Sequence, residues 1–174
     1  VVGGTLTAKS WNPVDQTGGV LALIVGRKLT LNAAVDVSGK GFYGGSATTG
    51  TGICDPSDLD SHPESYQNSG HKGEGVAIHD DLGILLNPSH SKGKGRNLTG
   101  GGGGNGRFSG GGGGSNRGKG EYGGYEKGDC ADASDGGAGG FSVISTQVED
   151  GIFLGGGGGG STHLTGSTST SGGR

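Results

Sequence analysis

Three uninterrupted glycine runs constrain this chain more than anything else in it. They are Gly100, Gly101, Gly102, Gly103 and Gly104; Gly110, Gly111, Gly112, Gly113 and Gly114; and Gly155, Gly156, Gly157, Gly158, Gly159 and Gly160. Glycine loses more backbone freedom on folding than any other residue, and an isolated run behaves as a flexible linker. There are no side chains to pack, so order in such a run must come from lateral contacts of its own amides. The polyglycine II helix provides them, with about three residues per turn, a rise of roughly 3.1 Å per residue and no internal hydrogen bonds. Its N–H and C=O groups all point sideways, and since one rod cannot satisfy its own amides, a bundle of several is required. The first two runs also echo each other. TGGGGGNGRF at 99–108 and SGGGGGSNRG at 109–118 align at a ten-residue offset, each a hydroxyl residue, five glycines and a polar turn. Short rods of roughly 16 to 19 Å joined by such turns would run antiparallel and share hydrogen bonds.

The rest of the chain offers little for a conventional core. Glycine makes up 47 of the 174 residues and hydrophobic residues only 28%, a balance that ordinarily signals low complexity. The strict G-X-Y repeat is absent and there are four prolines, so the chain is not a collagen. With 13 basic and 16 acidic residues the net charge is −3, which gives no strong field to attract nucleic acid or a membrane surface. No apolar stretch reaches the ~18 residues of a membrane span, so direct membrane insertion is not expected. A start at Val1 without Met and a finish in a Ser/Thr/Gly tract suggest a portion of a longer polypeptide.

The one conventional fold signal lies in residues 19–42. VLALIV at 20–25 is a continuous apolar run, the pattern of a strand covered on both faces. After Gly26-Arg27-Lys28, the residues Leu29, Leu31, Ala33, Val35 and Val37 alternate with polar or small ones, the pattern of a half-buried strand. A hairpin or two solenoid rungs would follow. FSVISTQV at 141–148 and GIFL at 151–154 are candidates for further strands, and no segment carries a helical period. The expected class is therefore mainly β and irregular, a small β-sheet combined with a polyglycine II bundle and almost no α-helix.

Chemistry-bearing motifs are sparse. Asp55, Asp58 and Asp60 in DPSDLDSH place oxygen ligands that would suit calcium, but the glycine and terminal glutamate of an EF-hand loop are missing. Asx-turns in a solvated loop are the plainer reading. The five histidines, at 62, 71, 79, 90 and 163, lack paired zinc-ligand spacing. The GKG triplets at 39–41, 93–95 and 118–120 suit solvated turns better than phosphate binding, since no P-loop pattern occurs. RGKGEYGGYEKG is not a run of RNA-binding RGG repeats, because acidic residues offset the basic ones. Asn97-Leu98-Thr99 is an N-glycosylation sequon of a kind that often arises by chance. VVGG at 1–4 resembles the N-terminus of activated trypsin-like proteases, yet no histidine precedes His62 and GDCADASDGG lacks the nucleophile motif's spacing. No constellation nominates an enzyme, and no cofactor is implied. Cys54 and Cys130 are either a disulfide of the kind small-core secreted domains use or two buried thiols.

A resemblance rests on a series of motifs in order. LTLNAAVDVSGKGFYGG, a cysteine in GIC, KGEGVA, KGKGRNLTGGGGGNGRFSGGGGGSNRGKG, GDC and IFLGGGGGGSTH together resemble the glycine-rich region of large Bacteroidota surface proteins exported by type IX secretion. The likeness spans roughly residues 18–163. It implies a secreted, cell-surface location and a Cys54–Cys130 bridge, because the family carries cysteines at both places. The family continues beyond IFLGGGGGG into more glycine and a β-rich stretch, so the resemblance implies a last strand that is either missing or supplied by a neighbour. The family's C-terminal secretion signal has no counterpart here, which leaves the export route open. In its glycine runs alone the chain is also similar to the glycine-rich domain of anaplastic lymphoma kinase, to phage adhesins and to snow-flea antifreeze protein.

The expected organisation is a single module of 1–174: a β-rich part at 1–48, a polar loop region at 49–91, a polyglycine bundle with short strands at 92–160 and a Ser/Thr/Gly tail at 161–174. The expected role is an extracellular, non-enzymatic structural protein or adhesin that presents loops 55–90 from a stiff scaffold. Its partners would be neighbouring chains or other domains of the parent protein, filament or secretion-machinery subunits, or a surface glycan. An ice- or carbohydrate-binding module is the remaining expectation, and it would require a flat, regular Thr/Ser face.

Overall fold

In the computed structural model the chain is described at residues 1–52, 54, 59–76, 91–125, 135–143, 154–164 and 172. Among these residues there is no helix and very little strand. Strand β1 (Thr48–Thr49) pairs in parallel with β2 (Thr162–His163), Thr48 opposite Thr162 and Thr49 opposite His163. This small sheet is not built where the hydrophobic pattern put it.

The interior consists of extended glycine-rich threads bonded through their main chains. Thread 99–105 lies at the centre. Its N–H groups at Gly101 and Gly104 donate to Gly157 and Gly160, while those at Gly102 and Asn105 donate to Ala138 and Asp135. Its carbonyls at Gly101 and Gly104 accept from Gly73 and Gly70, and those at Gly102 and Thr99 accept from Gly112 and Ser115. Each neighbour is met again three residues later. A β-ladder would return to the same partner every two residues. The echoed segments 99–105 and 109–115 are thus antiparallel neighbours, as the ten-residue offset suggests.

The same interval recurs in the other threads. Gly110 and Gly113 donate to Gly124 and Glu121, and the carbonyls of those two glycines accept from Gly137 and Gly140. Ser109, Gly112 and Ser115 accept from Thr162, Gly159 and Gly156. Glu74 and His71 donate to Tyr43 and Ser46, and Gly45 and Thr48 donate to Gly158 and Ser161. The β1–β2 sheet is the end of this last pairing. Residues 69–74 are therefore woven into the glycine interior rather than projecting from it.

Close approach makes glycine necessary at the centre. A Cβ built on Gly102 would stand 1.9 Å from the Lys94 carbonyl oxygen, and those on Gly101 and Gly103 would stand 2.1 and 2.0 Å from the carbonyls of Gly112 and Gly70. Only Ala8, Phe42 and Ala138 are buried apolar residues among those described. The other buried side chains are polar and flank the threads: Thr99, Asn105, Ser109, Ser115 and Thr162 among them.

The N-terminal part differs from its expected form. Residues 20–25 form no strand, and Ile24 is fully exposed with Leu23 and Val25 beside it. Leu29, Leu31, Val35 and Val37 are also exposed. A strand covered on both faces needs a layer on each side, and the layers here are glycine threads that satisfy one another and leave none to cover it. Residues 29–37 instead make isolated parallel bridges to the N-terminus, Val2 with Leu31 and Leu6 with Val35. Trp11 packs edge-on against Phe42, with ring centroids 4.8 Å apart, and its backbone N–H donates to the Lys40 carbonyl. Residues 141–143 form no strand; the rest of that candidate, 144–148, and 151–153 of GIFL lie outside the described residues.

Candidate functional site

Where the segment at 59–72 meets 91–97, the threads assemble a polar cluster that no motif announced. The backbones of His62 and Lys92 bond to each other in both directions, and Lys72 donates to Ser91. The His62 ring is buried and stacked on Tyr66, centroids 4.0 Å apart. Two lysines beside it are buried as well. Lys72 Nζ donates to Ser61 Oγ at 2.6 Å, and Lys92 Nζ to the Tyr66 carbonyl at 2.9 Å. Their long stems cover the threads while their ammonium groups bind loop oxygens.

At the rim, the Glu64 carboxylate faces His71 Nε2 at 2.8 Å and accepts from the Ser91 hydroxyl. His71 Nδ1 faces the Ser46 carbonyl at 3.1 Å. A neutral imidazole has one N–H and can donate to only one of these two oxygens. The Ser91 and His71 hydrogen bonds hold the Glu64 carboxyl below its usual range, against a smaller opposing effect of burial. The order of groups does not suit nucleophilic catalysis. A catalytic serine must give its proton to the imidazole, whereas Ser91 donates to the carboxylate. The arrangement ties three separate segments together.

A second polar knot centres on Asn105. Asn105 is buried, accepts the Ser69 hydroxyl at 2.7 Å on Oδ1 and donates from Nδ2 to the Leu59 carbonyl at 3.0 Å. Ser109 donates to the Asn105 carbonyl, and Ser115 to that of Phe141. The Arg96 guanidinium lies 4.0 Å from the centre of the Phe141 ring, which fastens the outer threads.

The expected site residues have mixed placements. The glycines of 100–104, 110–114 and 155–160 come together as neighbouring threads, all buried or half-buried except the exposed Gly113, whereas Cys130, Asp55 and Asp58 lie outside the described residues, so the Cys54–Cys130 bridge and the calcium set do too. Asp60 is exposed and its carbonyl accepts from Gly95. Among the described residues no group of His, Cys, Asp and Glu is arranged to hold a metal. His163 contacts the Thr49 hydroxyl at 3.1 Å, while His79 and His90 lie outside the described residues. In the sequon Asn97 and Thr99 are buried, and Asn97 Nδ2 donates to the Gly73 carbonyl, so the asparagine is not presented as a glycan acceptor in the folded chain. Nor is GKG at 93–95 a solvated turn. Gly93 donates to Gly70, and Lys94 accepts from Ala138. Among the described residues no helix is long and apolar enough to cross a membrane. No family model, curated protein or solved structure matches this chain.

Proposed function

We propose that this chain is an extracellular, non-enzymatic structural or adhesive module of the bacterial cell surface, and that its threads are polyglycine II helices packed into a stiff bundle. The observation that carries the reading is the three-residue interval at which each thread returns to the same neighbour, which is the period of that helix. Main-chain bonds in several directions resist bending more evenly than a sheet, and stiffness is what a surface scaffold contributes. The polar cluster at 59–72 and 91–97 fits the same role as a fastening that sets loops on the rods. The ordered motifs that resemble Bacteroidota surface proteins support secretion by the type IX route. They also support the Cys54–Cys130 bridge, and a glycan or a neighbouring subunit as the partner.

Limited proteolysis at low temperature, with and without reductant, tests the scaffold. The oxidised protein is expected to resist cutting across 100–114. Rapid cleavage there would discard the bundle, and with it the structural role.

A further inference from the structure

Thread 109–115 has an edge that is left unbonded among the described residues. Its residues fall into three sets by the three-residue interval. Gly112 and Ser115 donate to one thread, and Gly110 and Gly113 to another. The carbonyls of Ser109, Gly112 and Ser115 accept from a third, and those of Gly110 and Gly113 from a fourth. The remaining set is Gly111 and Gly114. Among the described residues neither donates or accepts a hydrogen bond. Both are half-buried, and a run of amides left unbonded at a surface is a template for pairing with another backbone.

A second observation points the same way. Gly113 is exposed, and a Cβ built on it would meet nothing nearer than 3.4 Å. At Gly118 and Gly124 nothing lies within 4 Å. The fold of one chain does not require glycine at these three positions, in contrast to the centre of the bundle. Close approach of a further backbone would require it.

We infer that this edge receives a glycine-rich thread from a second copy of this chain, bonded through the amides of Gly111 and Gly114. The inference rests on the bundle reading above and names its partner. A second copy presents the same unbonded edge at Gly111 and Gly114, so two copies can bond edge to edge through their 109–115 threads. Thread 109–115 already pairs antiparallel with 156–162 and parallel with 137–140, so an incoming thread fits in either direction. The exposed residues that follow this thread in sequence, Arg117, Lys119 and Glu121, carry both charge signs, which suits a partner with the same surface.

The test combines analytical ultracentrifugation across a concentration series with amide exchange on the full chain and on Gly113→Val. The wild type is expected to associate as concentration rises, with exchange at Gly111 and Gly114 slowing at least tenfold in the associated form. Gly113→Val should remain a monomer with an unchanged melting temperature. A wild type that stays monomeric at every concentration overturns the inference. So does a Gly113→Val that associates equally well, or a monomer whose two amides are protected only by added SGGGGGS peptide, which would assign the edge to a thread from another protein. Protection at Gly101–Gly104 reads the bundle separately: if it persists while association fails, the bundle stands and only the docking edge falls.

Discussion

Residues 20–37 hold much of the chain's aliphatic character and are exposed, whereas residues 99–105 hold almost none and are buried. The usual relation between hydrophobicity and depth is inverted between these regions. Burial in the second is driven by satisfying main-chain groups that no side chain shields. Each such bond contributes only about 1 kcal/mol net, but leaving one unmade in the interior costs about 1–3 kcal/mol, so the threads hold together by mutual obligation. The contrast predicts where substitutions will hurt.

The largest effect is expected at the centre. Gly102→Ala would bring a methyl group to 1.9 Å from the Lys94 carbonyl, and threads bonded on several sides cannot all move apart. A loss of roughly 3 kcal/mol or more, at the top of the range for overpacked cores, should appear in denaturant unfolding. Gly118→Ala, with open space around it, should be neutral or gain about 0.4–1 kcal/mol by restricting the unfolded chain. Equal losses in the two variants would erase the distinction between inner and outer glycines.

Next comes the knot that fastens loop to thread. Asn105→Ala removes both the acceptor for the buried Ser69 hydroxyl and the donor to the carbonyl of the exposed Leu59, and the loss at Ser69 should cost about 1–3 kcal/mol. Asn105→Asp should retain part of the loss, because Oδ1 is kept and the Nδ2 donor is not. Thermal melts of the pair would show whether polar side chains or only glycine amides matter inside.

How much of this could be read from the sequence follows from the same contrast. The glycine runs were legible because a residue without a side chain leaves one means of packing, and the ten-residue echo placed 99–105 beside 109–115. The strand at 20–25 was misread because a hydrophobic pattern implies a covering layer only where a chain has a side-chain core. The cluster of His62, Glu64, His71 and Ser91 was not legible, since threading rather than spacing brings it together. The Asn105 knot left one trace, the polar residues that flank the glycine runs, where Asn105 follows the first run and Ser109 opens the second echoed segment.

A smaller effect is expected at the rim. The folded-state pKa of Glu64 lies below its usual value because Ser91 and His71 donate to it. Its stabilisation is therefore complete above the unfolded pKa and lost as pH falls through the lower, folded one. The carboxylate is largely exposed, so the effect should stay under about 1 kcal/mol. Unfolding midpoints should decline from about pH 4.5 downward in the wild type and be flatter in Glu64→Gln. Curves of the same slope in both proteins would show that the carboxylate does not fasten the cluster.

The smallest effect is expected where an ordinary protein would show one of its largest. Ile24 stands in the middle of VLALIV, and a buried strand with that sequence would lose about 2–5 kcal/mol on truncation of an isoleucine to alanine. Here Ile24 is fully exposed, so Ile24→Ser should change stability by no more than about 0.5 kcal/mol. It should raise solubility instead, because a run of aliphatic residues facing water favours association. Paired with Gly102→Ala, it sets the deletion of a large apolar group against the addition of one methyl. If the isoleucine proves the costlier change, residues 20–25 are covered in solution and side-chain burial governs this chain after all; if the methyl does, the main chain is the core.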